Sequence, residues 1–284
     1  MILLFPSDYF DKNQVDADLK EEYQTAENLK LYQIILFDYE KFFHENQIRL
    51  SQKPENPEIG IYRGWMMKPE QYQHFYQELL KYKIKLLNTP EQYQRMHLFP
   101  EIYPELKEDT AEILLYPLYE KINIRDIKFE QFMIKDYVKS LKDPRFQNYF
   151  DQNTSQEDFE NYMQNFYQYR GDLLTGGICI KKYLDLKFYQ NHKNEYRVFY
   201  AGHEILSVCR NSGQEETAPV PPENLIKKYQ NLDSNYYTLD FAELSDHSWK
   251  ILESGDGSVS GLAETEKIQK YYQKLYQLLS HSGI

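Results

Sequence analysis

The fold class predicted by the sequence is α+β, with a small α/β unit in front, and three observations carry the prediction. The first is order: Ile2–Phe5, Asp18–Asn28 and Leu31–Phe37 read as strand, helix and strand, the pattern of an α/β unit. The second is a change of texture at about Asp109–Leu118, beyond which β-prone runs are separated by helices with few tight hairpin signals. The third is aromatic content, 27 Tyr, 16 Phe and 2 Trp in 284 residues. That content supplies a core although overall hydropathy is low.

Ile2–Phe5 is a short buried strand ended by Pro6-Ser7-Asp8, and residues 51–58, rich in proline and polar groups, are a loop. Ile59–Arg63 is another strand. Pro69 opens a helix with Tyr72, Phe75, Tyr76 and Leu79 at helical spacing, proline being suited to a first turn. Leu86-Leu87-Asn88 ends a strand and Thr89-Pro90-Glu91 starts the next helix. Beyond the boundary, strands are expected at Phe129–Val138, Gly177–Leu184, Glu195–Tyr200, Glu204–Arg210, Tyr236–Leu244 and Trp249–Glu253. Helices are expected at Ser155–Tyr169, Pro222–Gln230 and Glu264–Leu279, the last carrying Ile268, Tyr271, Tyr272, Leu275 and Leu279.

Charge narrows the function classes. Lys plus Arg number 33 against 44 Asp plus Glu, a net charge of −11, which argues against general affinity for a nucleic-acid backbone. No apolar run reaches the roughly 18 residues of a membrane span, and the start of the chain is too short and uncharged for a secretory signal. Cys179 and Cys209 form neither a disulfide framework nor a zinc site by themselves. An intracellular, cytoplasmic location is the simplest expectation.

Glycine is scarce, at 11 residues, and six fall into two clusters: Gly171, Gly176, Gly177 and Gly255, Gly257, Gly261. There is no phosphate loop ending in Gly-Lys-Ser/Thr, no Gly-x-Gly-x-x-Gly opening a helix, no His-Glu-x-x-His and no nucleophile-elbow serine. A nucleotide site in this chain must therefore hold phosphates with side-chain cations and metal.

Such cations lie in strands. Lys135 sits in Phe132–Val138 on the face of Met133 and Tyr137, and burying it without an anion is costly. An edge-strand lysine that deters aggregation is the alternative. Glu195 and Arg197 share one strand face while Tyr196, Val198 and Tyr200 line the other; an exposed surface pair is the alternative there. Asp240 lies in one strand, and Glu253 and Asp256 lie where the next opens into Gly255-Asp256-Gly257. Hard divalent cations take such carboxylates together with substrate phosphates, against the alternative of an Asp-Gly hairpin turn. Lys135, Lys139, Lys142 and Arg145 also form a local basic run that suits a phosphate backbone, or a solvated face equally well.

Taken in order, these features resemble the ATP-grasp superfamily: a strand lysine, Gly-Gly before an apolar strand ending Lys181-Lys182-Tyr183, Glu195-x-Arg197, Asp240-x-Ala242, and Trp249-x-Ile251-Leu252-Glu253-x-Gly255-Asp256-Gly257. More narrowly they are similar to a divergent clade marked by two arginines and a lysine, which includes the eukaryotic initiation-factor-2 assembly factor and bacterial and phage proteins. Ile61–Met66, Leu87–Pro90 with His97 and Pro100, and Ile134–Ser140 resemble the bacterial members, so the likeness runs from about Arg63 to Gly261.

The resemblance implies a pre-ATP-grasp α/β domain over 1–110 and an ATP-grasp domain over 111–284, with lobes of about 111–174 and 175–284 clamping ATP. It implies that Lys135, with Lys139, contacts ATP phosphates. Ile180, Lys181, Lys182 and Tyr183 would form the adenine strand and hinge, and Asp185 would meet the ribose. Arg197, and Arg63 reaching the same cleft, would be the catalytic arginines, and Asp240, Glu253 and Asp256 would bind Mg²⁺. Ordinary superfamily members end in Glu-x-Asn, and here the third position is Gly255. The activity implied is ATP- and Mg²⁺-dependent joining of a carboxylate to an amine through an acyl phosphate, on a peptide, protein or amino-acid-like substrate. The alternative is a nucleotide-binding assembly factor or adaptor without ligase turnover. His97 would help bind substrate or be structural; the cysteines read as structural thiols.

Overall fold

The computed structural model describes residues 1–139, 149–264 and 267–281. Strand β1 (Ile2–Pro6), helix α1 (Lys20–Leu29), β2 (Gln33–Phe37), α2 (Tyr39–Glu45), β3 (Glu58–Tyr62), α3 (Pro69–Lys81) and β4 (Ile84–Leu86) form the first layer. Its strands are all parallel, in the order β2-β1-β3-β4. Parallel sheets are covered on both faces, which is why β1 is a continuous apolar run. Leu3 and Phe5 enter one core and Ile2 and Leu4 another. The short helix α2 is not foreshadowed by the sequence pattern; Asp38 caps it by accepting from the Lys41 N–H at 3.2 Å.

Helices α4 (Pro90–His97) and α5 (Phe99–Leu106) follow, separated only by Leu98. Thr89 and Gln92 form a capping box at the start of α4, of the kind worth about 1 kcal/mol. Met96, Phe99, Ile102 and Leu106 leave the first layer and pack on the last sheet.

A second sheet comprises β5 (Ile113–Tyr116), β6 (Gln131–Asp136), β7 (Phe150–Asp151) and β8 (Ile178–Lys182), antiparallel in the order β5-β8-β6-β7. Helix α6 (Gln156–Arg170) covers one face, burying Phe159, Tyr162, Met163 and Phe166 against Phe132, Ile134, Ile178 and Ile180. A small hairpin, β9 (Phe188–Tyr189) and β10 (His192–Lys193), leads onward.

The third sheet holds β11 (Glu195–Ala201), β12 (Glu204–Arg210), β13 (Tyr236–Glu243) and β14 (Trp249–Asp256), with α7 (Glu223–Lys228) inserted before β13. Its antiparallel order is β12-β11-β13-β14. Val198, Tyr200, Tyr237 and Leu239 face α5 and α7, whereas Phe199, Ala201 and Tyr236 join the core of the first layer. The closing helix α8 (Ile268–His281) packs into that same core through Ile268, Tyr271, Tyr272 and Leu275. The mixed α+β class therefore stands. Among the described residues no helix is long and apolar enough to cross a membrane.

Two of the plainer alternatives fail. Lys135 is 2% exposed, which a solvated edge-strand lysine is not. Gly255–Gly257 is not a hairpin tip, because β13 and β14 are joined through Leu244–Ser248 and the glycines lie at the far end of β14.

Candidate active site

The second and third sheets face each other across a cleft of about 600 Å³, and its chemistry follows from strand alternation. In the β6–β8 ladder Met133 opposes Lys181 and Lys135 opposes Cys179. Paired residues share a face, so both lysines look into the cleft while Ile134 and Ile180 look into the α6 core. Phe99, at the start of α5, lies beneath both: the Lys135 and Lys181 ammonium groups stand 5.5 and 4.1 Å from its ring centre. The ring's negative face supports them.

Lys135 Nζ donates to Glu253 Oε1 at 3.4 Å, and Lys181 Nζ donates to the Leu252 carbonyl. Burial brings the Lys181 pKa down to about 7, and repulsion from Lys135 adds to the drop while Glu253 opposes it. A lysine that titrates near neutrality inside a cleft is an unusual group, of the sort found at functional sites.

From the third sheet, Arg197 grips Asp240 bidentately, Nε to Oδ1 at 2.8 Å and Nη2 to Oδ2 at 2.7 Å. Burial opposes the arginine's charge, but Asp240 outweighs it and keeps the Arg197 pKa above its ordinary value. Asp240 sits opposite Glu253 in the β13–β14 register, with an irregularity immediately after it. Glu195 shares the Arg197 face but is not its ion-pair partner. It accepts from Asn211 Nδ2 at 2.9 Å, and its carboxyl pKa is raised by burial and by the nearby Asp240 charge. Lys135, Lys181 and Arg197 thus converge with Glu195, Asp240 and Glu253 on one cleft.

The remaining expected residues divide. Lys139, Lys182 and Tyr183 line the cleft, Tyr183 edge-on to Tyr149 with ring centres 5.0 Å apart. Lys182 also reaches out to Glu112 at 2.7 Å. Ile180 points the opposite way, so only its backbone is available to the cleft. Asp185 is exposed and is not among the lining residues, although its neighbours Leu184 and Leu186 are. Of the basic run, Lys142 and Arg145 lie outside the described residues.

Arg63 and Asp256 need correction, because neither reaches the cleft. Arg63 is 2% exposed and pairs with Glu22, Nε to Oε1 at 2.5 Å. Asp256 falls on the face of β14 opposite Glu253, since side chains alternate along a strand. It is fully buried and accepts from Asn88 Nδ2 at 2.5 Å and from the Ser258 N–H at 2.8 Å. Burial pushes its pKa up to about 6, against the pull of Asn88, Ser258 and Arg63. His97 is buried against Tyr93, its pKa lowered to about 4 first by burial and then by Lys139, and it stays neutral. Both cysteines are free and buried, and burial raises both thiol pKa values.

Phe99, Asn211 and Lys193 belong to the site or its support and do not stand out in the sequence. Phe99 has a weak signal in its place beside Pro100; Asn211 and Lys193 have none.

The family model for an ATP-grasp domain, family 3 of a clade named for two arginines and a lysine, matches residues 123–275. The chain belongs to that family. This ATP-grasp chain also superimposes on distant solved structures over nearly its whole length. Against the ATP-grasp ligase PsnB complexed with a minimal precursor, the TM-score is 0.62 at 10% identity, covering 98% of each chain. Against D-alanyl-alanine synthetase A from Vibrio cholerae it is 0.60 at 9% identity, covering 99% of this chain and 98% of that one. Against the macrocyclase MdnC from Microcystis aeruginosa, bound to its precursor peptide MdnA, it is 0.55 at 13% identity, covering 99% of each. None of the curated proteins matches the chain in sequence.

ATP-grasp enzymes use ATP with Mg²⁺, and the donors present fit a metal that arrives with its nucleotide. Asp240 and Glu253 are cross-strand oxygen donors in the cleft, the one or two carboxylates that Mg²⁺ takes alongside phosphates. Among the described residues no group of three or more His, Cys, Asp or Glu is arranged to hold a metal, so the protein offers no complete cage there. Gly255 cannot supply a third donor. A Cβ there would stand 2.8 Å from Ser260 Oγ and 2.9 Å from Thr238 Oγ1, two hydroxyls bonded to each other at 2.8 Å. Gly255→Asn is therefore expected to destabilise the fold by about 1–3 kcal/mol, as overpacking does, without strengthening Mg²⁺-dependent nucleotide binding. Thermal melts and calorimetry read the two halves separately, and a gain in Mg²⁺ affinity would contradict the steric argument.

Proposed function

We propose that the chain is an ATP- and Mg²⁺-dependent carboxylate–amine ligase that works through an acyl phosphate. The observation that carries this reading is the convergence of Lys135, Lys181, Arg197, Asp240 and Glu253 on one cleft in a chain of the ATP-grasp family. A carboxylate oxygen attacks the γ-phosphorus and ADP leaves; an amine then attacks the acyl carbon and phosphate leaves. Both steps move negative charge between oxygens and require positioning and neutralisation more than a protein nucleophile. Lys135 and Lys139 bind phosphate oxygens, and Lys181, Lys182 and Tyr183 flank the base with the Ile180 backbone. Asp185 stands at the ribose end, and Arg197 steadies the γ-phosphate or acyl phosphate. Asp240 and Glu253 are the residues that would hold Mg²⁺, which supplies charge neutralisation at the phosphates. The division at about residue 110, with lobes of about 111–174 and 175–284, is part of the same reading.

PsnB and MdnC are both complexed with precursor peptides, and this favours a peptide or protein substrate here over a free amino acid. The test is incubation with Mg·ATP and a peptide-rich cell extract, following ADP release and substrate mass together. A ligase gives ADP in step with a product whose mass is the sum of two components less water. Tight ATP binding with no mass shift across many candidates would support an adaptor without turnover instead.

The lowered Lys181 pKa gives this reading a pH signature. Phosphate beside Lys181 favours its charged form, so binding takes up a proton wherever the free group is neutral. Affinity for Mg·ADP is expected to be flat below about pH 7 and to fall above it, by up to about tenfold per pH unit. Lys181→Met is expected to lower affinity at pH 6.5 and to remove most of that slope. A wild-type affinity that does not change between pH 6.5 and 9 would rule out a contact between Lys181 and phosphate.

A further inference from the structure

Arg63 has five N–H donors, and each of its nitrogens has an acceptor. Nε and Nη2 reach the two Glu22 oxygens at 2.5 and 3.2 Å, Nη2 also reaches the Ser260 carbonyl at 3.0 Å, and Nη1 donates to the Gly257 carbonyl and to Tyr236 Oη at 3.4 Å. A guanidinium so occupied and only 2% exposed is not available to substrate. Its acceptors have a pattern. Glu22 is on α1 of the first layer and is held in turn by the Tyr272 hydroxyl, while Gly257 and Ser260 are backbone of the segment leaving β14, the strand that carries Glu253. The next residue along, Gly261, offers its carbonyl to Arg197 Nη1 at 3.2 Å.

The same segment is fixed from the first layer twice more. The Gly64 N–H donates to the Ser258 carbonyl at 3.1 Å, and Asn88 Nδ2 donates to Asp256 at 2.5 Å. Gly257 lies so close to the Tyr236 ring that an added Cβ would stand 2.6 Å from it. The segment from Asp256 to Gly261 is therefore clamped between the first layer and the third sheet, and its free end meets the cleft arginine.

We infer that Arg63, with Glu22, is a positioning residue: it sets the segment 257–261 so that the Gly261 carbonyl holds the Arg197 guanidinium in place over the cleft. This rests on the reading that Arg197 serves the γ-phosphate. Arg63 acts through Arg197 and touches neither nucleotide nor substrate.

The test compares the affinity of a non-hydrolysable ATP analogue with that of ADP, both with saturating Mg²⁺, by calorimetry on the full chain. Displacing Arg197 removes an interaction that only the γ-phosphate makes. Arg63→Gln is expected to weaken the ATP analogue by about tenfold, one charge-assisted hydrogen bond, and ADP by less than about twofold. Glu22→Gln is expected to shift the ratio in the same direction, and the double variant to lose less than the sum, since both act through one network. A merely structural role lowers both affinities together or neither. Arg197→Lys is the control. An unchanged ratio in Arg63→Gln beside a shifted ratio in Arg197→Lys overturns the positioning role alone, whereas an unchanged ratio in Arg197→Lys overturns the γ-phosphate reading and the positioning role with it. If Arg63→Gln does not fold, Glu22→Gln carries the same comparison, because it keeps the arginine and the side-chain shape.

Discussion

Lys135→Met is expected to weaken Mg·ATP binding by about 30- to 1,000-fold, corresponding to the roughly 2–5 kcal/mol lost when one member of a desolvated charge pair is removed. The reasoning is local. Lys135 is buried at 2% exposure, on the cleft face of β6, with Glu253 at 3.4 Å and the Phe99 ring beneath it. Glu253 is 37% exposed, so its charge can be hydrated when the lysine is gone, and methionine keeps the stem that fills the space over Phe99. The melting temperature is accordingly expected to hold or rise, because a buried charge has been removed. Calorimetric titration with Mg·ATP, beside a thermal melt, separates loss of binding from loss of fold. Undiminished affinity in a folded Lys135→Met would remove Lys135 from the phosphate site.

Glu253→Gln is expected to cost at least about 100-fold in turnover, about 3 kcal/mol, because a metal that neutralises transferring phosphoryl oxygens contributes several kcal/mol. Its nucleotide affinity should also stop responding to Mg²⁺. The variant is cleaner than Asp240→Asn. Asp240 is the bidentate partner of Arg197, and neutralising it leaves a largely buried arginine with half its support, at a cost to the fold of up to several kcal/mol. Asp240→Asn is therefore expected to lower both stability and Mg²⁺ response, and Glu253→Gln the second alone. Melting curves and Mg²⁺ titrations of ADP binding distinguish them, and a Glu253→Gln protein with wild-type Mg²⁺ dependence would contradict the metal assignment.

The strands of the cleft are legible in the sequence because each carries a charge where the β period demands an apolar or solvent residue. Lys135, Arg197, Asp240 and Glu253 all announce themselves by that conflict, and all four line the cleft. Arg63 and Asp256 announce themselves in the same way, yet the protein satisfies their charges internally: Arg63 with Glu22 and two carbonyls, Asp256 with Asn88 and Ser258. A buried charge in a strand says that a partner exists and does not say whether the partner is a ligand or the protein. The motif Leu87-Asn88-Thr89-Pro90 shows this, since Asn88 joins Tyr236 and Asp256 and Thr89 caps α4.

What escapes is tertiary. Phe99 supports two lysines from a helix well upstream of β6, and no local pattern relates a helix-start phenylalanine to a strand lysine. Glu195 looks like the exposed partner of Arg197, but the register of β11 against β13 sets Arg197 opposite Asp240. Side chains i and i+2 share a face, but cross-strand neighbours lie closer. Helix α2 is hidden because its apolar residues Phe42 and Phe43 form too short a run for helical periodicity to register against the strand before it.

The most direct measurement is covalent mapping with an acyl-phosphate derivative of ATP, which transfers its acyl group to lysines held beside the phosphates. Tryptic mass spectrometry then names the modified residues without knowledge of the substrate. Acylation is expected at Lys135 and Lys181, stronger at Lys181 above pH 7 where it is neutral, and suppressed by excess Mg·ATP. Labelling confined to surface lysines and indifferent to Mg·ATP would contradict the placement of a nucleotide in this cleft.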